Sequence, residues 1–261
     1  MRIALGIEYD GSAYCGWQLQ DGVTTIQGVL EQALAKVANS PIRVITAGRT
    51  DAGVHATAQV AHFETEVERS DFSWLRGTSR YLPDDVTLLW ARHVADDFHA
   101  RFSAIERSYQ YILLNRRERP AILNKKVTWE YRPLDISLMQ SAASMLIGKH
   151  DFNAYRAVAC QAKSPVRELR ELAVTRQGDF VLINARADAF LHHMIRNIAG
   201  VLCTIGAGER RPVWAQEVLL SCDRTQGGVT APPDGLYLNE IIYPEEFRIP
   251  INSNKSWIFG T

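Results

Sequence analysis

The sequence lacks paired cysteines and long apolar runs. Its 261 residues include four scattered cysteines, none in a CxxC pair or at a metal-ligand spacing: Cys15, Cys160, Cys203 and Cys222. In a chain of this size such usage indicates reduced thiols, so we expect a cytoplasmic location. No apolar run approaches the roughly 20 residues that cross a bilayer, and the N-terminus alternates like a strand rather than like a signal peptide. These absences predict a soluble protein that does not bind a membrane.

The sequence also lacks an excess of charge of either sign. Its 29 basic residues balance 29 acidic ones, which argues weakly against a nucleic-acid partner, because phosphate contacts require Lys and Arg. The distribution is nevertheless uneven, since residues 64–97 are rich in acids whereas 101–126 and 149–176 are rich in bases. Such asymmetry can give a neutral protein one basic face. Solvated charges on unrelated faces are the open alternative.

Apolar periodicity predicts two halves that each mix strands and helices. The first hundred residues indicate strand, helix, strand, strand, helix and strand, and the second half follows a similar plan without a clear sequence repeat. We therefore predict an α+β fold, with two ferredoxin-like (RRM-like) α/β halves sharing a mostly antiparallel sheet that has helices on one side. The predicted N-terminal half covers residues 1–105, the C-terminal half covers 106–245, and a tail covers 246–261.

Two local signals predict where elements begin and turn. Thr24 and Gln27 have the spacing of a capping box at the start of the first helix. Residues 177–179, Gln-Gly-Asp, separate two alternating runs and predict a hairpin turn.

The segment "TAGRTDAGVHAT" at 46–57 places a carboxylate in a glycine-flanked connection between two predicted strands. Glycines there let the backbone turn tightly and let a ligand come close. Asp51 can have a purely structural role, in which its side chain makes an Asx hydrogen bond within the turn. As a nucleophile it must instead be ionised yet sheltered, and a nearby guanidinium would lower the pKa that burial raises. Arg49 is one candidate, although two residues away on an extended chain it can point to the opposite face, and a distant arginine would serve equally well.

Asp51, His55 and His62 are a candidate metal-ligand set. No HExxH or similar helical pairing supports that set, and the sequence has no GxSxG elbow, GxGxxG fingerprint or P-loop. A metal-dependent hydrolase is therefore one alternative interpretation of the segment. A non-catalytic RNA-binding module of ferredoxin-like build is another.

Five sequence blocks, taken together, resemble one family. They are "YDGSAYCGWQ" at 9–18, "GRTDAGVHA" at 48–56, "ARFSAIERSYQYIL" at 100–113, "FLHHMIRNIAG" at 190–200 and "APPDGLYLNEIIYP" at 231–244. In content and order they are similar to the blocks of the tRNA pseudouridine synthase A family. The block "GRTDAGVHA" resembles the catalytic motif of that family. A single short motif would be weak, but five in register extend over nearly the whole chain.

The resemblance implies an enzyme of the pseudouridine synthase fold that isomerises uridine to pseudouridine in tRNA, at positions 38, 39 and 40 of the anticodon stem-loop. It implies no metal and no other cofactor. The bond from N1 to C1′ breaks, the base turns while bound, and C5 joins C1′. Whether the carboxylate adds to C6 of the base or assists at C1′ stays open. In either case the nucleotide must leave its stack to reach the pocket.

The resemblance also implies roles for five residues. Asp51 would be the nucleophile, Arg196 would pair with its carboxylate, and Arg49 would hold the flipped nucleotide or the strand it leaves. Tyr109 would stack on the target uracil, and Leu236 would line the base pocket. The family acts as homodimers with tRNA across a cleft between subunits, so we expect the basic regions 101–126 and 149–176 to form an RNA-binding groove.

Overall fold

The computed structural model describes residues 1–250, which form two units. Unit 1 contains residues 1–105 and 238–250, and unit 2 contains residues 106–237. In this division residues 238–245, which we assigned to the C-terminal half, group with unit 1. Most of the predicted tail lies outside the described residues.

Unit 1 is built around an antiparallel sheet. Its elements are β1 (Arg2–Tyr9), α1 (Ile26–Ala38), β2 (Ile45–Thr46), β3 (His55–Glu64), α2 (Asp71–Ser79), β4 (Val86–Val94) and most of β10 (Leu236–Ile242). The strand order is β4-β1-β3-β10, with β2 paired to β3. The pairs β1–β3, β1–β4 and β2–β3 are antiparallel. The inner position of β1 explains why Ile3, Leu5 and Ile7 are fully buried.

Helix α1 begins one residue later than the capping box predicted. Thr25, not Thr24, is the cap, and its hydroxyl oxygen accepts a hydrogen bond from the backbone N–H of Gly28 at 3.2 Å. Gln27 does not reach back to the cap. Its side-chain oxygen accepts from the N–H of Leu19 at 3.0 Å, so a tertiary contact replaces the local one that the spacing indicated.

Unit 2 contains five strands, the first residues of β10 and three α-helices. Its elements are β5 (Glu106–Asn115), β6 (Thr128–Glu130), α3 (Ile136–Ser144), β7 (Gly148–Asp151), β8 (Val166–Gln177), β9 (Phe180–Ala187), α4 (Met194–Gly206) and α5 (Trp214–Ser221). The strand order is β5-β9-β8-β7, and β6 pairs with β5 in parallel. The pairs β5–β9, β7–β8 and β8–β9 are antiparallel.

The predicted hairpin in unit 2 is confirmed. Strands β8 and β9 are joined by Gly178 and Asp179 alone, and Gly178 takes the left-handed conformation, with φ of 57°, that such a short turn requires. The α+β class is confirmed as well, because each unit combines mostly antiparallel strands with helices. None of the helices within residues 1–250 has the length and apolar character needed to cross a bilayer.

Candidate active site

The loop that carries Asp51 connects β2 to β3 in unit 1. Side chains alternate along it, so that Thr50 is buried while Arg49 is exposed and Asp51 is half-buried. The backbone then turns, since the N–H of Val54 donates to the carbonyl of Asp51 at 3.1 Å and Gly53 takes a φ of 80°. Asp51 therefore does lie in a tight turn, but the turn uses its backbone carbonyl.

The first block, at 9–18, packs directly against this loop. The N–H of Trp17 donates to the carbonyl of Thr50 at 3.0 Å, and the N–H of Gly53 donates to the carbonyl of Tyr14 at 3.3 Å. At Gly11 the two backbones come so close that an added Cβ would lie 2.0 Å from the carbonyl oxygen of Val54. Two of the five blocks are thus one structural cluster, and the N-terminal one holds the other in place.

The geometry of β3 overturns the metal-ligand set. His55 and His62 are both on this strand and seven residues apart, which is about 23 Å at roughly 3.3 Å a residue. The Nδ1 atom of His55 lies 3.1 Å from both the backbone nitrogen of Gly11 and a carboxylate oxygen of Asp10, so it can accept from the former or, when protonated, donate to the latter. His62 accepts instead from the N–H of Ala100 at 3.1 Å. No single ion can bind both rings.

Tyr109 lies on β5 in unit 2, opposite Ala185 of β9. Its ring is 9% exposed and meets the ring of Phe190 edge to face, with centroids 5.1 Å apart. Two positions earlier on the same face of the strand, Arg107 donates to the carbonyl of Asp188 at 2.8 Å. Phe190 thus packs against the Tyr109 ring, and Arg107 is held nearby on the same strand. Sequence reasoning singled out neither, although both stand inside the quoted blocks.

Tyr111 connects β5 to the C-terminal block. Its ring is fully buried, and its hydroxyl lies 2.7 Å from both the hydroxyl of Thr128 and the carbonyl oxygen of Pro232. Burial, the largest cause, raises the pKa of Tyr111 well above its ordinary value, so the hydroxyl stays protonated and donates to that carbonyl. The N–H of Ile112 donates to the carbonyl of Gly235 at 2.8 Å. The next residue, Leu236, is 5% exposed at the start of β10.

Arg196 is the third residue of α4. A cation is unfavourable in the first turn of a helix, where the helix dipole is positive. Its orientation is fixed by hydrogen bonds: Nε donates to the carbonyl of Ala231 at 2.8 Å, and the N–H of Ala231 donates back to the carbonyl of Arg196 at 3.1 Å. One turn further on, a Cβ added to Gly200 would lie 1.9 Å from the carbonyl oxygen of Val229. The C-terminal block thus packs directly on α4.

The predicted site residues therefore fall into two clusters. Arg49 and Asp51 belong to unit 1, within the cluster formed by the first two blocks. Tyr109, Arg196 and Leu236 belong to unit 2, where hydrogen bonds connect the other three blocks. The blocks are far apart along the chain in both cases, which is why spacing alone did not group them.

Ion pairs use some of the bases that we assigned to an RNA groove. Arg170 contacts the buried carboxylate of Glu106 at 2.8 Å and that of Glu168 at 3.2 Å. Arg116 lies 3.8 Å from Asp179. These bases are partly neutralised by neighbouring acids, so they contribute less positive potential than their number in the sequence suggests.

A carboxylate on a braced loop in one unit and an arginine fixed on a helix in the other are found here in a mixed α/β fold. A family model described as tRNA pseudouridine synthase matches residues 6–103 and 142–244. Those ranges include both the Asp51 loop and Arg196. The chain belongs to the tRNA pseudouridine synthase family, which is a family of isomerases.

Several relatives are similar over nearly their whole length. A tRNA pseudouridine synthase A of Nitrosococcus oceani is 59% identical, over 96% of this chain and 96% of its own. Proteins of the same description from Coxiella burnetii and Pseudomonas aeruginosa are 55% and 56% identical. They cover 95% of this chain in each case, and 95% and 88% of their own lengths. The resemblance inferred from the five blocks is confirmed.

Proposed function

We propose that this protein isomerises uridine to pseudouridine at positions 38, 39 and 40 in the anticodon stem-loop of tRNAs. The glycosidic bond from N1 to C1′ breaks and a bond from C5 to C1′ forms, while C5 loses a proton and N1 gains one. Atoms and electrons balance within the nucleotide, so the reaction calls for no cofactor. The observation that carries the proposal is the braced, glycine-bounded loop that presents Asp51.

Asp51 is the nucleophile of the proposed reaction. Its loop is held by backbone hydrogen bonds on either side of the residue, from Trp17 to Thr50 and from Gly53 to Tyr14. A rigid loop of this kind keeps a reacting group within the short approach distance that catalysis requires. Attack of the Asp51 carboxylate at C6 and its assistance at C1′ are both compatible with such a loop.

Arg196 is the proposed partner of the Asp51 charge. A guanidinium beside a carboxylate favours the ionised form that a nucleophile needs. The hydrogen bond from its Nε to Ala231 supports this role, because it fixes the plane of the guanidinium group.

The flipped uridine is bound by three further side chains in this proposal. Tyr109 stacks on the uracil, as an aromatic ring does for an unstacked base. Its edge-to-face contact with Phe190 supports this role by holding the ring in one orientation. Leu236 lines the base pocket. Arg49, which is exposed, contacts the nucleotide or the strand that it leaves.

The bases of regions 101–126 and 149–176 form the proposed tRNA-binding surface. Arg117, Arg119, Lys149 and Lys163 are exposed in these regions. Each phosphate contact releases counterions, so tRNA affinity should fall steeply as salt rises from 50 to 200 mM. A flat titration would exclude an electrostatic surface.

We further propose that the protein is a cytoplasmic homodimer. Its cysteines are free thiols in the structure, as suits a reducing compartment. The dimer rests on the family resemblance. Sedimentation equilibrium tests it directly, because a dimer has twice the chain mass of 29.3 kDa and a monomer does not.

The decisive experiment measures tritium release from tRNA labelled at C5 of uracil. The wild type should release tritium, whereas Asp51→Asn and Asp51→Ala should bind tRNA with unchanged affinity and release none. Transcripts in which the uridines at 38, 39 and 40 are replaced one at a time by cytidine assign the positions. A non-catalytic RNA-binding module would bind these transcripts and release no tritium even as the wild type.

A further inference from the structure

A fully buried glutamine lies on β3 beside the Asp51 loop. Gln59 has no exposed surface, although its amide is polar. A buried amide without hydrogen bonds is strongly unfavourable, because it loses its bonds to water without gaining others. If this strand position needed only a buried side chain, leucine would fill it with a smaller loss of free energy. The contacts of the amide are therefore informative.

The amide group of Gln59 is oriented by partners that can act in only one sense. Its Nε2 donates to the carbonyl oxygen of Gly48 at 2.7 Å, and its Oε1 accepts from the N–H of Val60 at 3.2 Å. A carbonyl only accepts and an N–H only donates, so the flipped orientation would lose both bonds. The other Nε2 hydrogen points to the hydroxyl oxygen of Tyr9, 3.4 Å away.

Tyr9 extends this hydrogen-bond network to the Asp51 loop. Its hydroxyl lies 2.7 Å from the hydroxyl oxygen of Thr50. Either hydroxyl can be the donor in this bond, and the Tyr9 hydrogen is available for it because the Tyr9 oxygen accepts from Gln59. Burial, the largest cause, raises the pKa of Tyr9 to about 12, so this donor is retained at neutral pH. Gln59 and Tyr9 thus fix the loop at Gly48 and at Thr50, the latter being adjacent to Asp51.

We infer that Gln59 and Tyr9 are positioning residues for the Asp51 carboxylate, acting through the Gly48 carbonyl and the Thr50 hydroxyl. This inference rests on the proposed function, since it gives the two buried side chains a purpose in the reaction of Asp51. A backbone carbonyl and a side chain are held on the buried side of the loop. Asp51 follows Thr50 directly and is half-buried, so holding Thr50 in place also fixes the backbone position from which the Asp51 carboxylate projects.

The first test compares two variants with a matched control. Gln59→Leu removes the amide, and Tyr9→Phe removes one hydroxyl. Tyr243→Phe is the control, because Tyr243 is also a buried tyrosine of unit 1 whose hydroxyl donates to a backbone carbonyl, that of Ala100 at 2.6 Å. It makes a similar bond away from the loop.

We expect the two loop variants to lower the single-turnover rate at saturating enzyme by about tenfold to a hundredfold, the range expected when a reacting group shifts by up to about 1 Å. Their affinity for tRNA should be unchanged. Tyr243→Phe should lose a similar amount of stability and keep the wild-type rate. Loop variants that react as fast as Tyr243→Phe would overturn the inference.

The second test exchanges a donor for an acceptor with almost no change of shape. In Gln59→Glu an ionised carboxylate would face the Gly48 carbonyl, whereas a protonated carboxyl could donate to it. Burial raises the pKa of such a glutamate. The rate relative to wild type at each pH should therefore rise as pH falls from 8 to 6. A ratio independent of pH would contradict the positioning role, and if Gln59→Glu does not fold, the Tyr9→Phe comparison decides.

Failure of the inference is distinguishable from failure of the proposed function. If the wild type releases no tritium, the proposed function fails. If the wild type is active and Asp51→Asn is inactive while Gln59→Leu and Tyr9→Phe react at the wild-type rate, only the positioning inference fails.

Discussion

Replacing Gly11 by alanine should displace the Asp51 loop without altering any side chain of the site. Gly11 does not adopt a left-handed conformation, so alanine is not strained by its own backbone angles. The added Cβ would lie 2.0 Å from the carbonyl oxygen of Val54 and 2.6 Å from its carbonyl carbon. Contacts under 3.0 Å do not occur at real Cβ atoms, so the two backbone segments must separate by about 1 Å.

A displacement of this size has a calculable effect on activity. A misplacement of about 1 Å costs on the order of a hundredfold in rate, equivalent to about 2.7 kcal/mol of activation free energy. The same overpacking should lower the free energy of unfolding by about 1 to 3 kcal/mol. The rate is measured by single-turnover tritium release, and the stability by urea unfolding.

Gly77→Ala is the matched control for Gly11→Ala. Gly77 lies on α2, and the nearest atoms to its added Cβ would be the two side-chain methyl carbons of Val37, at 3.1 and 3.3 Å. Alanine also favours a helix by about 1 kcal/mol over glycine. We expect this variant to keep the wild-type rate. A Gly11→Ala protein with wild-type rate and stability would refute the argument that the first block holds the loop.

Three further predictions follow from buried or fixed side chains. Burial lowers the pKa of His62 from 6.5 to about 4, so the folded state binds fewer protons than the unfolded state between these pH values. At most about 3 kcal/mol of unfolding free energy should therefore be lost as pH falls from 6.5 to 4, and urea unfolding of His62→Asn should show a smaller loss over the same range. Tyr111→Phe should lower unfolding free energy by about 1 to 3 kcal/mol, because the Pro232 carbonyl loses a buried donor; equal stability would contradict this. Arg196→Lys keeps the charge but loses the Nε donor to Ala231, so tritium release should slow about tenfold or more while tRNA affinity holds.

Some features followed from short stretches of sequence. The two-residue turn of the β8–β9 hairpin was predictable because Gly178 and Asp179 interrupt two alternating runs. By contrast, the predicted capping box was wrong by one residue. Thr25 is the cap, and the side-chain oxygen of Gln27 accepts a hydrogen bond from the N–H of Leu19 instead. Strand β7 was missed, because its sequence, Gly-Lys-His-Asp, has no apolar alternation. Local patterns thus predicted long elements well and their ends less well.

The candidate site was predictable in its residue types but not in its assembly. Asp51 could be picked out because glycines surround it and because its block resembles a catalytic motif. The role of Gln59 gave no local signal, since one polar residue in a strand is ordinary. Its purpose became visible only when β3, β1 and the loop were placed together.

The sequence by itself determined the α+β class, the periodic elements and the family, because these depend on residues close together or on blocks in a fixed order. Only the tertiary structure decided that His55 and His62 cannot share an ion and that Gly11 must be glycine beside Val54. It also showed that Gln59 and Tyr9 support the loop of Asp51. The physical reason is that close approach and burial depend on where distant backbone segments meet, and no local pattern encodes that distance.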